Sequence, residues 1–374
     1  MIRLSNECFL EIFSYLKQYE TLFSCLLVSR QWFRFVAPIL WSKPLKDFSD
    51  ARIIRIYLSL LNIEEQVSLI PFDIILPNGP KPLINYASFT VSYENSHLNE
   101  SIEYWIEKEG RGSRNFSYFD DEYYSVTQTI KCSLIAMLLR TSERLKSVTF
   151  KGYDYGLFKK TLVESLYRNS AIKEIRLDWL NFDSDDIKAI TDALFKNTSL
   201  KSLSIRYIDN ECGKLLAEAL YEHSVLSSLN FCYFNLGDED GKALANVLYK
   251  NTTLTSLDLY GSLLSVESVK MLAKALYNNS SLTSLNLDNQ LGVEGVKLLA
   301  TALHKNSSLT SLNLDANQLG DEGGKAIDDN FESDDYLSDS DGGSEEFDAY
   351  WKIERMLRNI RKKIRKDIKI TFAY

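Results

Sequence analysis

The residue types that most often perform chemistry are few in this 374-residue chain and lie far apart. The three histidines, His97, His223 and His304, are isolated, and no metal-site spacing, nucleophile elbow or phosphate-binding glycine loop is present. The glycines of GDEGGK, beginning at Gly320, are explained by the repeat described below. We therefore predict that the protein is not an enzyme and uses no metal or cofactor.

The cysteines and the apolar segments indicate the cellular compartment of the protein. Five cysteines occur without a CxxC pair, an odd number that is typical of reduced thiols in a cytoplasmic or nuclear protein. Glu7 and Glu11 interrupt the region where a secretory signal would need an apolar core. No apolar stretch is long enough to predict a membrane span.

Charge is concentrated near the C-terminal end of the sequence. Residues 328–348 hold ten acidic residues and no Lys or Arg, and residues 350–374 hold nine basic residues against two acidic ones. We expect 331–349 to be disordered, because the segment repels itself and has little to bury. Residues 350–374 carry Ile353, Leu357, Ile360, Ile364 and Ile368 at helical spacing and predict a basic amphipathic helix. It could cap the repeats, serve as a nuclear import signal or lie on a membrane surface. The charge pattern does not predict a nucleic-acid partner.

A motif of six residues recurs through the second half of the chain. It reads LTSLDL at 254–259 and LTSLNL at 282–287 and 309–314, with weaker copies beginning at 145, 172, 200 and 226. The spacings are 27, 28, 26, 28, 28 and 27 residues. Each copy alternates as a strand does and is followed by apolar residues at helical spacing, so every unit predicts one strand and one helix.

The units resemble the long leucine-rich repeats of the ribonuclease-inhibitor type, whose LxxLxLxxNxLG pattern is intact at 309–320. The resemblance implies an α/β solenoid with parallel strands on a concave inner face and helices outside. Alternate strand residues should then form columns on that face. We predict a substrate-binding site where basic and aromatic residues gather in the early repeats, because such residues often anchor interfaces. Its members are Arg176, Trp179, Arg206, Tyr207, Tyr233 and Tyr260. An alternative is that the aromatic residues only pack the turns.

The first 44 residues follow a different pattern, with apolar residues at helical spacing that predict two or three short helices. A helical module of about 40 residues is too small to be stable alone with so much apolar surface, which indicates that a partner completes its core. The order of residues, and the string CLLVSRQWFRFVAPILW above all, is similar to an F-box. The family has Pro after its first Leu, where this chain has Ser5; an unrelated pair of capping helices is the alternative.

The F-box resemblance implies docking onto the small adaptor subunit of SCF-type ubiquitin ligases, and through it onto cullin. The adaptor-facing residues would be Leu4, Glu7, Ile12, Leu16, Val28 and Trp32. Together with the repeats, it implies a substrate-recognition subunit that presents an unknown target protein. A GTPase-activating protein of the nuclear-transport type and a scaffold without a ligase remain open alternatives.

The predicted organisation has five parts. They are an F-box at 1–44, a linker with degenerate capping repeats at 45–144, seven repeats at 145–330, the acidic segment at 331–349 and the basic helix at 350–374. Within the second part, the alternation from Pro82 to Tyr93 predicts a strand.

Overall fold

The structure is a computed structural model in which two compact units divide between Leu177 and Asp178. It describes residues 5–16, 18–43, 51–95, 98–110, 121–151, 163–164, 167, 169–180, 182–207, 212–222, 225–234, 236–287, 291–314 and 369–371. The predicted acidic segment and residues 350–368 of the predicted basic helix lie outside these ranges, as does Leu4.

The first unit begins with three short helices, α1 (Asn6–Ser14), α2 (Tyr19–Leu26) and α3 (Arg30–Leu40). Serine side chains cap the N-termini of two of them. Ser5 Oγ accepts a hydrogen bond from the Cys8 N–H at 3.4 Å, and Ser29 Oγ accepts one from the Trp32 N–H at 3.1 Å. Ser5 therefore caps α1 at the position where the F-box family has Pro.

The rest of the first unit combines helices with the first strands of a parallel sheet. Its elements are α4 (Ala51–Leu58), α5 (Ile63–Val67), 3₁₀ turns at Ile70–Phe72 and Tyr86–Phe89, β1 (Ser92–Glu94), α6 (Leu98–Trp105), a π-helical turn at Ile106–Gly110, α7 (Asp121–Thr141), β2 (Ser147–Lys151) and β3 (Glu174–Asp178), whose last residue is the first of the second unit. The strand predicted from Pro82 to Tyr93 is wrong over most of its length, because a 3₁₀ turn at 86–89 interrupts the alternation.

Strand β1 pairs in parallel with β2, with Ser92 opposite Ser147 and Glu94 opposite Thr149. Ser147 occupies the third position of the first repeat found in the sequence. One further strand therefore precedes the seven repeats, as a degenerate capping repeat would require.

The second unit alternates helices and strands. Its elements are α8 (Ser184–Lys196), β4 (Ser202–Arg206), α9 (Cys212–Glu222), β5 (Ser228–Cys232), α10 (Asp238–Lys250), β6 (Ser256–Asp258), α11 (Val266–Asn278), β7 (Ser284–Asn286), α12 (Gly292–Lys305), β8 (Ser311–Asn313) and β9 (Lys369–Thr371). Strands β4 to β9 are hydrogen-bonded in chain order, and each helix from α8 to α12 packs on the next. This is the fold of a leucine-rich-repeat solenoid.

Equivalent repeat residues lie opposite each other in neighbouring strands. Ser228, Ser256, Ser284 and Ser311 pair in sequence, and so do Leu229, Leu257, Leu285 and Leu312. The leucines are at most 2% exposed, whereas the serines are partly exposed. The register therefore confirms that alternate strand residues form columns.

A buried asparagine follows each of the outer helices α11 and α12 and ties adjacent repeats together. Asn279 donates through Nδ2 to the Leu248 carbonyl of the preceding repeat at 2.7 Å, and its Oδ1 accepts from the Leu282 N–H at 2.8 Å. Asn306 repeats the arrangement with the Leu276 carbonyl at 2.7 Å. These side chains satisfy backbone groups that the helix end and the turn would otherwise bury unpaired.

The basic segment ends differently from the prediction. Lys369–Thr371 forms β9, parallel to β8, with Ile370 opposite Leu312. The prediction of a helix is wrong at these three residues. The sequence IKIT alternates and is rich in β-branched residues, and the outer edge of β8 offers it unpaired backbone groups.

Candidate protein-binding surfaces

Helices α1 to α3 enclose a small aromatic core. Phe13, Leu22 and Val36 are buried, and Phe9, Leu16, Trp32 and Phe35 pack against them. The Phe13 and Trp32 rings meet edge to face with centroids 5.0 Å apart, and Phe9 stacks on Phe35 at 5.8 Å. Edge-to-face and offset pairs are the favoured aromatic geometries, so this cluster holds the three helices together.

The outer surface of the same helices is unusually apolar. The large exposed side chains and their exposed fractions are Leu10 48%, Ile12 48%, Tyr15 73%, Phe23 48%, Leu27 77% and Val28 60%. Leu10, Ile12 and Phe23 lie on the helices, and the other three follow the ends of α1 and α2. Six such residues in so short a segment form the kind of apolar surface that marks an interaction site.

The predicted adaptor-facing residues separate into two groups. Ile12 and Val28 belong to the exposed surface, whereas Leu16 and Trp32 are turned partly inward against the helical core. Glu7 is exposed on α1, and a hydrogen bond with the Ser5 side chain holds the pKa of its carboxyl below its usual value. Helical periodicity identified the apolar positions but not which of them face outward.

In the repeats, three rings of the predicted substrate site form a stacked ladder. Trp179 lies on Tyr207 with centroids 3.5 Å apart and planes 15° apart, and Tyr207 lies on Tyr233 at 4.3 Å and 7°. Tyr260 meets Tyr233 edge to face at 4.9 Å. We call Trp179, Tyr207 and Tyr233 the aromatic ladder. The structure thus brings together four of the six residues predicted for this site.

The ladder residues have a backbone conformation that residues other than glycine rarely adopt. Their φ angles are +62°, +58° and +59°, and Gly261, at the equivalent position of the next repeat, has φ +65°. The left-handed conformation costs a residue with a Cβ about 1–2 kcal/mol. Each ladder N–H donates to a carbonyl of the next repeat, as from Tyr233 to Tyr260 at 2.8 Å. Gly261 ends the ladder, because a Cβ there would lie 2.9 Å from the Tyr233 ring.

Beside the ladder lies a polar group on three adjacent strands. Arg206 on β4 is opposite Cys232 on β5, and Asn230 on β5 is opposite Asp258 on β6. Asn230 Nδ2 donates to Asp258 Oδ2 at 2.9 Å, and the Tyr260 N–H donates to Asp258 Oδ1 at 3.1 Å. Burial and the neighbouring Asp258 carboxylate raise the pKa of the Cys232 thiol to about 12, so this thiol is neutral.

Arg176, the sixth predicted residue, belongs to the first unit. Its Nη2 lies 3.3 Å from Glu174 Oε1 on the same strand, and both side chains are partly exposed. Tyr207 and Tyr233 recur at one repeat position in the sequence, but their left-handed backbone was missed. Gly261 at that same position was the signal that could have revealed it.

A search of the described residues for other kinds of site gives two results. No group of three or more His, Cys, Asp or Glu side chains is placed to hold a metal ion. Among the helices that the structure describes, none is both long and apolar enough to cross a bilayer.

Two family models match the chain in the order that the fold displays. An F-box-like model matches residues 6–47, and a leucine-rich-repeat model matches residues 278–300 and 305–327. The chain therefore carries an F-box-like domain followed by leucine-rich repeats. This combination supports a role as a substrate-recognition adaptor and is typical of non-catalytic proteins.

Three solved structures illustrate the likeness. Actin-binding site 2 of leiomodin-1 is 19% identical, with a TM-score of 0.34, and the match covers 49% of this chain and 93% of that one. The yeast Rad7–Elc1 complex is 17% identical with a TM-score of 0.38, and the match covers 54% of this chain and 58% of that one. A protein of Bacteroides fragilis is 16% identical with a TM-score of 0.36, and the match covers 50% of this chain and 64% of that one. The match spans less than two thirds of the last two chains. A search of the curated proteins finds no match.

Proposed function

We propose that this chain is the substrate-recognition subunit of an SCF-type ubiquitin ligase. The observation that carries the proposal is the apolar outer surface of the F-box-like helices, where Leu27, Tyr15 and Val28 are each at least 60% exposed. Leaving such side chains in water costs about 1.5–3 kcal/mol each relative to burial, so a partner that covers them gains a strong driving force. The adaptor subunit is the partner that the F-box-like family match supports.

The repeats supply the other half of this function. On the face of their sheet that is opposite the leucine core, the aromatic ladder and Arg206 lie side by side. A target protein held there would be kept close to a ubiquitin-loaded enzyme that the adaptor and cullin bring into the complex. Proximity of this kind raises the effective concentration of the reactants without a catalytic residue in this chain. We propose that the complex acts in the cytoplasm, the nucleus or both.

Co-purification with the adaptor tests the proposal. Ile12→Asp and Val28→Asp place a charge on the exposed surface without touching the aromatic core, whereas substituting Trp32 would remove an edge-to-face contact with Phe13. We expect each variant to retain at least tenfold less adaptor and cullin than the unaltered chain, because burying an unpaired charge in an interface is costly.

The matched control is Ile63→Asp, a substitution of an 81% exposed isoleucine on α5, outside the F-box-like segment. It should retain the adaptor fully. Equal retention by the control and by both F-box variants, with circular dichroism unchanged in all three, would disprove the proposed docking surface.

A further inference from the structure

A stripe of exposed aliphatic side chains lies on α5 and the 3₁₀ turn that follows it. Ile63 is 81% exposed, Val67 54% and Ile70 72%. Ser68 and Leu69 keep helical backbone angles, so the three positions can be compared around one axis. At about 100° per residue they fall within about 60° of one another and therefore share one face. We call Ile63, Val67 and Ile70 the α5 stripe.

The opposite side of α5 is held by polar contacts. Asn62 and Glu65 form a capping box, in which each side chain accepts from the other residue's backbone N–H at 2.8 Å. Arg140 of α7 donates to both carboxylate oxygens of Glu65, each at 2.8 Å. The hydroxyls of Ser68 and Ser133 lie 3.0 Å apart. These bonds fix the orientation of α5, so the stripe stays turned to solvent. An apolar face that is already rigid loses little conformational freedom when a partner covers it.

The size of the α5 stripe indicates the kind of partner that fits it. An aliphatic side chain of this type buries about 60–120 Å², from about 1.5–3 kcal/mol at about 25 cal/mol per Å². The sum for three is well below the about 800 Å² per partner of a stable interface between folded proteins. The stripe is about 10 Å long, which is close to the diameter of one helix. It therefore fits a single amphipathic helix better than a second copy of this chain.

The charges around the stripe indicate what should flank the apolar face of that helix. Residues 56–80 contain the acids Glu64, Glu65 and Asp73 and no Lys or Arg. Glu65 is already paired with Arg140, and its side chain is 8% exposed. Glu64 is exposed and forms no ion pair with any residue that the structure describes. A basic residue of the partner would therefore meet an unpaired carboxylate at the edge of the stripe.

We propose that the α5 stripe binds an amphipathic helix of another protein, with aliphatic residues on adjacent turns of one face and a Lys or Arg at its edge. The aliphatic residues pack against the stripe, and the basic residue pairs with Glu64. Helix-on-helix packing of this kind needs one apolar stripe on each side. Because α5 lies outside helices α1 to α3, the partner is distinct from the adaptor, and the inference does not rest on the proposed function.

The test uses the full chain and a fluorescent peptide of eighteen residues, made of Ala, Leu and Lys with all Leu on one helical face. A shuffled peptide has the same composition and charge but no apolar face. In fluorescence anisotropy, we expect the ordered peptide to bind at least tenfold more tightly than the shuffled one. Ile63→Asp and Val67→Asp should each weaken its binding at least tenfold, because a charge is costly against apolar side chains. Val28→Asp, on the exposed apolar surface of the F-box-like segment, is the matched control and should bind the peptide as the unaltered chain does.

The charge of the partner is tested separately. Replacing Lys by Glu in the ordered peptide should weaken its binding to the unaltered chain at least fivefold. Glu64→Lys should remove this preference for the Lys peptide. Glu20→Lys changes the net charge equally at an exposed residue of α2 and should keep the preference. Equal preferences in the two variants would overturn the role of Glu64.

The proposal is overturned if the ordered and shuffled peptides bind equally, or if neither Ile63→Asp nor Val67→Asp weakens binding. It is also overturned if Val28→Asp weakens binding as much as they do, because the peptide would then lie on the F-box surface. A dimeric unaltered chain with a monomeric Ile63→Asp variant in sedimentation would show that a second copy covers the stripe and would equally overturn it. Adaptor retention is scored on the same variants. Retention of the adaptor by Val28→Asp, with the peptide results as expected, would refute the proposed docking surface alone.

Discussion

The F-box helices and the repeat strands treat their large apolar side chains in opposite ways. In the repeats, Leu257, Leu285 and Leu312 are at most 2% exposed, because each repeat is covered by its neighbours. In the F-box helices, Leu27 is 77% and Val28 is 60% exposed. The repeats thus complete their core within the chain, whereas the F-box-like segment leaves large apolar side chains exposed. A substitution should therefore act on folding in one region and on association in the other.

The largest effect that we expect on stability is in the repeat core. Leu285→Ala should lower the free energy of unfolding by about 3 kcal/mol, because the surrounding repeats cannot collapse fully into the cavity. Leu27→Ala on α2's C-terminal side should change it by no more than about 0.5 kcal/mol. Urea unfolding of the full chain, followed by circular dichroism, measures both. Similar losses for the two variants would remove the contrast between the regions.

A smaller loss is expected when the contact between repeats is polar. Asn279→Ala removes the bond to the Leu248 carbonyl and the one from the Leu282 N–H, both buried. The loss should be about 2 kcal/mol, since unpaired buried backbone groups remain. Asn278→Ala, one residue earlier and exposed, is the control and should be nearly neutral. If both asparagines contribute equally, the capping role of Asn279 is wrong.

At the aromatic ladder we expect a smaller loss of stability, and a glycine variant that is more stable than the alanine variant. Tyr207→Ala should cost about 1 kcal/mol through the lost stacking. Tyr207→Gly should cost less than Tyr207→Ala, because glycine adopts φ +58° without strain. At Lys201, which precedes β4 and has no positive φ, the usual order should hold, with alanine the more stable variant. The same unfolding measurement compares the alanine and glycine variants at both positions. If the alanine variant is the more stable one at Tyr207 as well as at Lys201, the backbone at Tyr207 stores no strain.

The smallest effect on folding should come from modifying a thiol on the open surface. Cys8 on α1 is exposed, whereas Cys232 is buried and its pKa is raised to about 12. Because the thiolate is the reactive form, iodoacetamide at pH 8 should modify Cys8 readily and Cys232 only after unfolding in urea. Peptide mass spectrometry identifies the sites. Alkylated Cys8 should leave the free energy of unfolding unchanged; rapid labelling of Cys232 in the folded chain would contradict the burial.

Much of the fold followed from the sequence because the repeats are periodic. Equal spacing of the LxxLxL motifs predicted which residues share a column, and the pairing of Ser256 with Ser284 confirms it. Helical spacing also predicted the apolar positions of the F-box. It could not tell exposed Ile12 from half-buried Leu16, because this small helical segment is apolar on more than one face.

The candidate binding surface of the repeats was predictable only in part. Arg206 and the aromatic residues were visible at recurring repeat positions, but the bond from Asn230 to Asp258 and the stacking of the rings depend on how neighbouring strands pair. At the other end, helical spacing predicted a helix over 350–374, whereas Lys369–Thr371 form a strand paired with β8. The IKIT alternation competes with that helical spacing, and backbone pairing with the edge of β8 favours a strand.

Strand β9 has a consequence for how a protein of this kind can change in length over evolution. It pairs with Ser311, Leu312 and Asn313, the same three residue types that begin β7 at Ser284, Leu285 and Asn286. Duplication of the unit between β7 and β8 would therefore present an identical edge to the same closing strand. Repeats could be gained or lost inside the array, and the inner face lengthened for a larger target, without the need for a new terminus.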